Sequence, residues 1–234
     1  MKIGGIQKLT LLDYPEKTSA IIFVAGCNFR CGFCHNPQFV DPENIKEIVD
    51  FLIPEDKFFK FLDTRKGLLD GIVVSGGEPT IFPDLPEFMQ KIKDKGFLVK
   101  LDTNGTNPEM IQKLIDERLV DFIAMDVKMT PEKYSEIAGI KVDGEKIEES
   151  INLILKSGLP HEFRTTVLRE FHDEAEIEGI AKLVKGAEKF ALQNFRNEKT
   201  LDPKFHEFHG FANAQLEQFR KIAEKFVEKV EVRI

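Results

Sequence analysis

Residues 20–37, AIIFVAGCNFRCGFCHNP, decide how the rest of the chain is read. The first six are an unbroken apolar run, the pattern of a strand buried on both faces. Gly26 ends that run, and a polar, turn-rich loop follows that carries Cys27, Cys31 and Cys34. Working outward, apolar runs with strand character recur at 71–74, 97–101, 120–125, 162–168 and 190–193. Helical stripes lie between them: Leu85, Phe88, Met89 and Ile92, then Ile147, Ile151, Ile154 and Leu155, then Ile177, Ile180, Ala181 and Val184. Strands alternating with helices imply right-handed βαβ crossovers and a parallel sheet, either doubly wound or curved into a whole or partial barrel. Six such units are fewer than a full eightfold barrel needs.

Residues 3–13 are expected to pair as a hairpin before the first main strand. Phe211, Leu216, Phe219, Ile222, Ala223 and Phe226 form a late amphipathic stripe, and a closing strand is expected at 229–234. No internal repeat, low-complexity tract or Ser/Gly-rich linker divides the sequence, so 1–234 reads as one domain. The formal net charge of −7 argues against broad electrostatic binding to nucleic acid or anionic lipid, which needs a cationic surface. No apolar run approaches membrane-spanning length and the first residues hold no signal-type apolar stretch, so a cytoplasmic location is expected. The 21 Phe against no Trp and 2 Tyr have no functional account at this level.

The suggestive residues recur at one place relative to the strands. The cysteine loop follows the first apolar strand, SGGEP (75–79) the second, DTNG (102–105) the third, and Asp126 with Lys128 closes the fourth. In barrels and open α/β sheets this carboxyl edge is where ligands and catalysis sit, so four polar motifs there suggest one shared site.

Three thiols within eight residues cannot staple distant segments, and one would always be left over, so ligation or catalysis is the better use. The C-x3-C-x2-C spacing would also suit one face of a helix with inert buried thiols, but Gly26, Asn28, Gly32, Asn36 and Pro37 are turn and breaker residues. Structural zinc with His35 as fourth ligand is a second alternative, made awkward by the adjacency of Cys34 and His35. The third is an iron–sulfur cubane. Its full complement would be four thiolates, so three leave one iron open to a small molecule.

Gly76 and Gly77 lack Cβ atoms, so their backbone can approach a ligand and present carbonyls to an ammonium group, with the charge of Glu78 beside it. The segment could equally be a plain strand-to-helix turn. Asp102 and Asn104 are two apart, as are Asp126 and Lys128, so each pair projects from one face of an extended segment. Asp102, Thr103 and Asn104 suit ribose hydroxyls and Lys128 suits a carboxylate. A turn or cap for DTNG and a salt-bridged strand end for Asp126 and Lys128 are the structural alternatives.

A C-x3-C-x2-C loop with an aromatic before the third Cys, after the first strand of a β/α unit and followed by GGEP, resembles the radical S-adenosylmethionine (SAM) superfamily. The resemblance implies a partial TIM barrel, (βα)6-like, with a [4Fe-4S] cluster and SAM at the C-terminal edge of the parallel strands. Cys27, Cys31 and Cys34 would hold the cluster, and the SAM amino and carboxylate groups would chelate the open iron. An electron through the cluster would cleave SAM to methionine and a 5′-deoxyadenosyl radical that abstracts hydrogen. Gly76, Gly77 and Glu78 are implied at the methionyl amino group, and Phe33 and His35 beside adenine. Arg164 and Arg196 are further candidates for SAM contact. In related activating enzymes a His near the latter position contacts SAM, and Arg196 departs from that pattern. His161, His172, His206 and His209 are read as exposed or capping.

With no fourth Cys, branches needing extra clusters or catalytic thiols are set aside. The segment 3–38, IGGIQKLTLLDYPEKTSAIIFVAGCNFRCGFCHNPQ, is similar to activators of anaerobic ribonucleoside-triphosphate reductase, and CHNP also to pyruvate formate-lyase activase. The resemblance therefore implies an enzyme that makes a glycyl radical on a partner enzyme, served by an electron donor such as flavodoxin or ferredoxin. A 7-carboxy-7-deazaguanine synthase-like enzyme of small molecules and a zinc-stabilised binding module are the competing readings.

Overall fold

The computed structural model describes residues 1–234. In chain order the elements are β1 (Ile3–Thr10), β2 (Ser19–Val24), α1 (Pro42–Ile48), α2 (Glu55–Asp63), β3 (Gly71–Gly76), α3 (Leu85–Asp94), β4 (Leu98–Thr103), α4 (Pro108–Asp116), β5 (Phe122–Asp126), α5 (Tyr134–Ala138), α6 (Gly144–Lys156), β6 (His161–Val167), α7 (Glu174–Leu183), β7 (Lys189–Asn194), α8 (Asn213–Ala223) and β8 (Lys229–Arg233). They fall into two compact units. One holds residues 1–28, 38–103 and 109–123, the other 29–37, 104–108 and 124–234.

In the first unit β1 runs antiparallel to β2, pairing Ile3 with Val24 and Thr10 with Ser19, as expected of the N-terminal segment. β2 is parallel to β3, with Ser19 opposite Gly71 and Val24 opposite Gly76, and β3 is parallel to β4. This register sets the carboxyl ends of β2 and β3 side by side. Ala20, Ile22 and Val24 of β2 and Ile72, Val73 and Val74 of β3 have no exposed surface, so each Ile and Val contributes up to about 1.5–3 kcal/mol of hydrophobic stabilisation. Helix α3 packs beside β4 and buries the stripe read from sequence, Leu85, Phe88, Met89 and Ile92. Part of the Phe excess is spent here: the Phe58, Phe59 and Phe88 rings pack with centroids 5.2–5.5 Å apart.

In the second unit β6, β7 and β8 are parallel neighbours, Phe163 facing Phe190 and Phe190 facing Val230. The closing strand expected at 229–234 is therefore present. Helix α6 is capped by Asp143, whose side chain accepts from Glu145 N, and α7 by Asp173, which accepts from Glu176 N. Gly139, at φ +69°, ends α5 in the left-handed conformation that favours glycine. In both units successive parallel strands are added in chain order with no reversal, the winding of barrel-type α/β folds rather than of doubly wound sheets.

Candidate functional site

In the first unit the loop after β2 and the loop after β3 are locked backbone to backbone. Gly77 N donates to Val24 O at 2.9 Å and Glu78 N to Gly26 O at 2.8 Å. A Cβ on Gly77 would lie 2.0 Å from Gly26 O, and Gly76 adopts φ +112°, so neither position admits a side chain without rearrangement. This contact fixes Gly26, the residue before Cys27. Glu78 is 1% exposed, and its Oε1 accepts from Thr80 N and Oγ1 and from Thr103 Oγ1. A buried carboxylate must be satisfied in this way, and here the bonds also fix which way the acid points. Asp102 is held by Lys100 and Ser75, at 2.5 and 3.0 Å.

In the second unit the half-loop 29–37 is held by its surroundings. Arg30 N donates to Ala138 O at 2.8 Å, and Gly139 packs against Arg30 O so closely that a Cβ would lie 2.3 Å from it. Leu201 N and Asp202 N both donate to Gly32 O at 3.0 Å, and the Phe205 ring covers the face of Gly32. The His35 ring stacks on Phe195, and its Nε2 donates to Arg196 O at 2.8 Å. Cys34 N closes a turn onto Cys31 O, and Asn36 N donates to Cys34 Sγ at 3.4 Å.

Asp126 and Lys128 project from the end of β5 as an ion pair at 3.3 Å, and Arg164 Nε donates to the other Asp126 oxygen at 2.8 Å. Burial alone would push the Asp126 carboxyl up. The cations of Arg164 and Lys128 outweigh it and hold the group well below the usual carboxylate range. Burial likewise works against the Lys128 ammonium, but the negative charge of Asp126 holds its pKa above the ordinary lysine value. The Lys128 Nζ lies 5.6 Å from the centroid of the Phe33 ring. Cys31 is buried and its thiol is pushed up to about 11, chiefly by desolvation and against the pull of Lys128. Burial also raises Cys34.

Two residues given no site role in the sequence reading, Tyr134 and His172, support this geometry. Tyr134, fully buried, accepts from Lys128 N at 3.2 Å and donates to Asp126 O at 3.1 Å, while its ring packs on Phe29. His172 is 2% exposed, not a surface group, and its Nε2 donates to Lys128 O at 2.9 Å. His161 is also buried, at 6% exposed. Asn104 forms a turn, its Oδ1 accepting from Thr106 N and Oγ1. The guanidinium of Arg196 donates to Ile234 O.

By residue type, three free thiols are the donors an iron–sulfur cofactor takes. The three cysteines form no disulfide, and one sulfur already accepts a backbone N–H, the kind of bond that tunes cluster thiolates. The superfamily's own sequence model, that of radical SAM proteins, matches residues 21–184. This chain belongs to the radical SAM superfamily. Membership implies a [4Fe-4S] cluster and SAM as its cofactors. A candidate glycyl-radical enzyme activating enzyme of Methanocaldococcus jannaschii is 38% identical, the match covering 99% of this chain and 95% of that protein. The pyruvate formate-lyase-activating enzyme of Listeria monocytogenes is 35% identical over 57% of this chain and 56% of its own length. Among solved structures, a domain of pyruvate-formate lyase-activating enzyme from Bacteroides vulgatus superposes with a TM-score of 0.57 at 17% identity. That match covers 69% of this chain and 98% of the domain, so the two share a fold.

Proposed function

We propose that the whole chain, 1–234, works as one radical SAM domain that activates a glycyl-radical enzyme. The observation that carries this reading is the near-full-length similarity to the Methanocaldococcus jannaschii protein. Cys27, Cys31 and Cys34 ligate one [4Fe-4S] cluster through their C-x3-C-x2-C spacing. When bound, the cluster and SAM supply reductive cleavage of the sulfonium and a 5′-deoxyadenosyl radical that takes a hydrogen from a glycine Cα.

The chain's own residues bind and orient SAM. Gly76, Gly77 and Glu78 receive the methionyl ammonium, and Lys128, kept cationic by Asp126, meets the carboxylate. Asp102 and Asn104 serve the ribose, and Phe33 and His35 flank the adenine. Arg164 acts by holding Asp126, and Arg196 through the backbone carbonyl that orients His35. The protein substrate is proposed to be anaerobic ribonucleoside-triphosphate reductase, with a flavodoxin or ferredoxin as electron donor. The similarity to the Listeria monocytogenes protein supports a pyruvate formate-lyase-like partner as the second reading.

The test is to incubate the reduced holoprotein with SAM and each candidate partner, then record electron paramagnetic resonance spectra. A glycine-centred doublet on one partner is the expected result. SAM cleavage with no doublet on any partner contradicts activation and favours a small-molecule substrate.

A further inference from the structure

Lys100 sits where an ammonium is costly. Its side chain is 1% exposed in the middle of β4, between Val99 and Leu101, which have no exposed surface. Desolvating such a group costs several kcal/mol before any partner repays it, and an apolar pair of similar volume would serve stability as well. Strand alternation sends Lys100 and Asp102 to one face of β4. There Lys100 Nζ donates to Asp102 Oδ1 at 2.5 Å, while Ser75 Oγ, from the carboxyl end of β3, donates to Asp102 Oδ2 at 3.0 Å. The Phe122 ring lies 5.8 Å from the same Nζ. The next residue, Thr103, turns to the opposite side and donates to Glu78. The two oxygens of the Asp102 carboxylate therefore take donors from two strands, Lys100 of β4 and Ser75 of β3, which fixes the side-chain torsions.

We propose that Lys100 and Ser75 are positioning residues for Asp102, holding its carboxylate in one orientation for the vicinal hydroxyls of the SAM ribose. The inference rests on the reading above that Asp102 serves the ribose. Neither residue needs to touch SAM: each acts through the carboxylate, and its effect must vanish when the carboxylate is removed.

That condition gives the test. The SAM dissociation constant is measured by calorimetry on anaerobically reconstituted holoprotein, with iron content and melting temperature checked for each variant. The variants are Ser75→Ala, Lys100→Met, Asp102→Asn and the doubles Ser75→Ala/Asp102→Asn and Lys100→Met/Asp102→Asn. Asp102→Asn and Lys100→Met are each expected to weaken SAM about tenfold or more, and Ser75→Ala about three- to tenfold. In the Asp102→Asn background neither second substitution should weaken binding further. Penalties that add in the doubles, or single variants of Lys100 and Ser75 that bind SAM as tightly as wild type, overturn the proposal while leaving Asp102 in the site. An Asp102→Asn variant with unchanged affinity overturns the ribose assignment itself. If Lys100→Met does not fold, the Ser75 pair decides by the same criterion.

Discussion

Replacing Gly77 by Ala tests whether the backbone contact between the β2 and β3 loops is what fixes the start of the cysteine loop. The added Cβ would lie 2.0 Å from Gly26 O and 2.6 Å from Gly26 C, both backbone atoms with no rotamer to yield. Ordinary contact begins at 3.4 Å, so the two loops must part by more than 1 Å. Overpacking of this kind costs about 1–3 kcal/mol. The parting also stretches the Glu78 N to Gly26 O bond, worth about 1 kcal/mol. A total of about 2–4 kcal/mol corresponds to a melting temperature roughly 5–15 °C lower for a chain of this length. Because Gly26 precedes Cys27, iron retention after desalting should fall as well. Gly67→Ala is the control: Gly67 has φ +74° but nothing within 4 Å of its added Cβ, so it reports backbone strain alone, about 1–2 kcal/mol. Anaerobic thermal melts with iron assays read both variants. If Gly77→Ala melts no lower than Gly67→Ala and keeps its iron, the crowding argument is wrong.

Two further outcomes follow from single side chains. Glu176 accepts from Thr130 N at 2.6 Å and Lys133 Nζ at 2.9 Å, and although burial pushes its carboxyl up, these bonds hold it below the ordinary value. A depressed folded-state pKa gives stability that is fully present above the unfolded value near ~4.3 and is lost as pH falls through the folded value. Glu176→Gln should therefore be less stable than wild type by about 1.5–3 kcal/mol at neutral pH, the gap closing towards pH 3 in denaturant titrations. A gap that stays constant over that range contradicts the assignment. Tyr134→Phe leaves Lys128 N and Asp126 O without the hydroxyl that joins them, at a cost of about 1–3 kcal/mol. It should also raise the KM for SAM more than it lowers kcat, and a pure kcat effect would count against the role given to Lys128.

Much of this was legible because parallel strands leave a strong trace. The run 20–25 and the α3 stripe are periodic and wholly apolar where they must be buried, so β2 and α3 were read within a residue or two. Helix α1 left no such trace because it buries no side chain, and periodicity has nothing to detect. The cysteine spacing and the GGEP segment were visible because the residues proposed for the chemistry lie close together in sequence. The supporting groups were not, since Tyr134 and His172 reach Lys128 only through tertiary packing, across 6 and 44 residues. Lys100 could have been found by the same two-residue alternation that paired Asp102 with Asn104, but a lysine in an apolar strand reads as a solvent-facing residue until its burial is known. The reach of the Arg196 side chain to Ile234 likewise depends on the pairing of β7 with β8.

The account stands on an iron centre held by three thiolates with one corner left for SAM. Its most direct measurement is the electron paramagnetic resonance spectrum of the anaerobically reconstituted, reduced protein before and after SAM is added. The account predicts a [4Fe-4S]⁺ signal whose g-values shift on binding one SAM per cluster, and which is lost when any of Cys27, Cys31 or Cys34 is replaced by Ala. A cluster signal that ignores saturating SAM, or that survives unchanged in one of those variants, would contradict it.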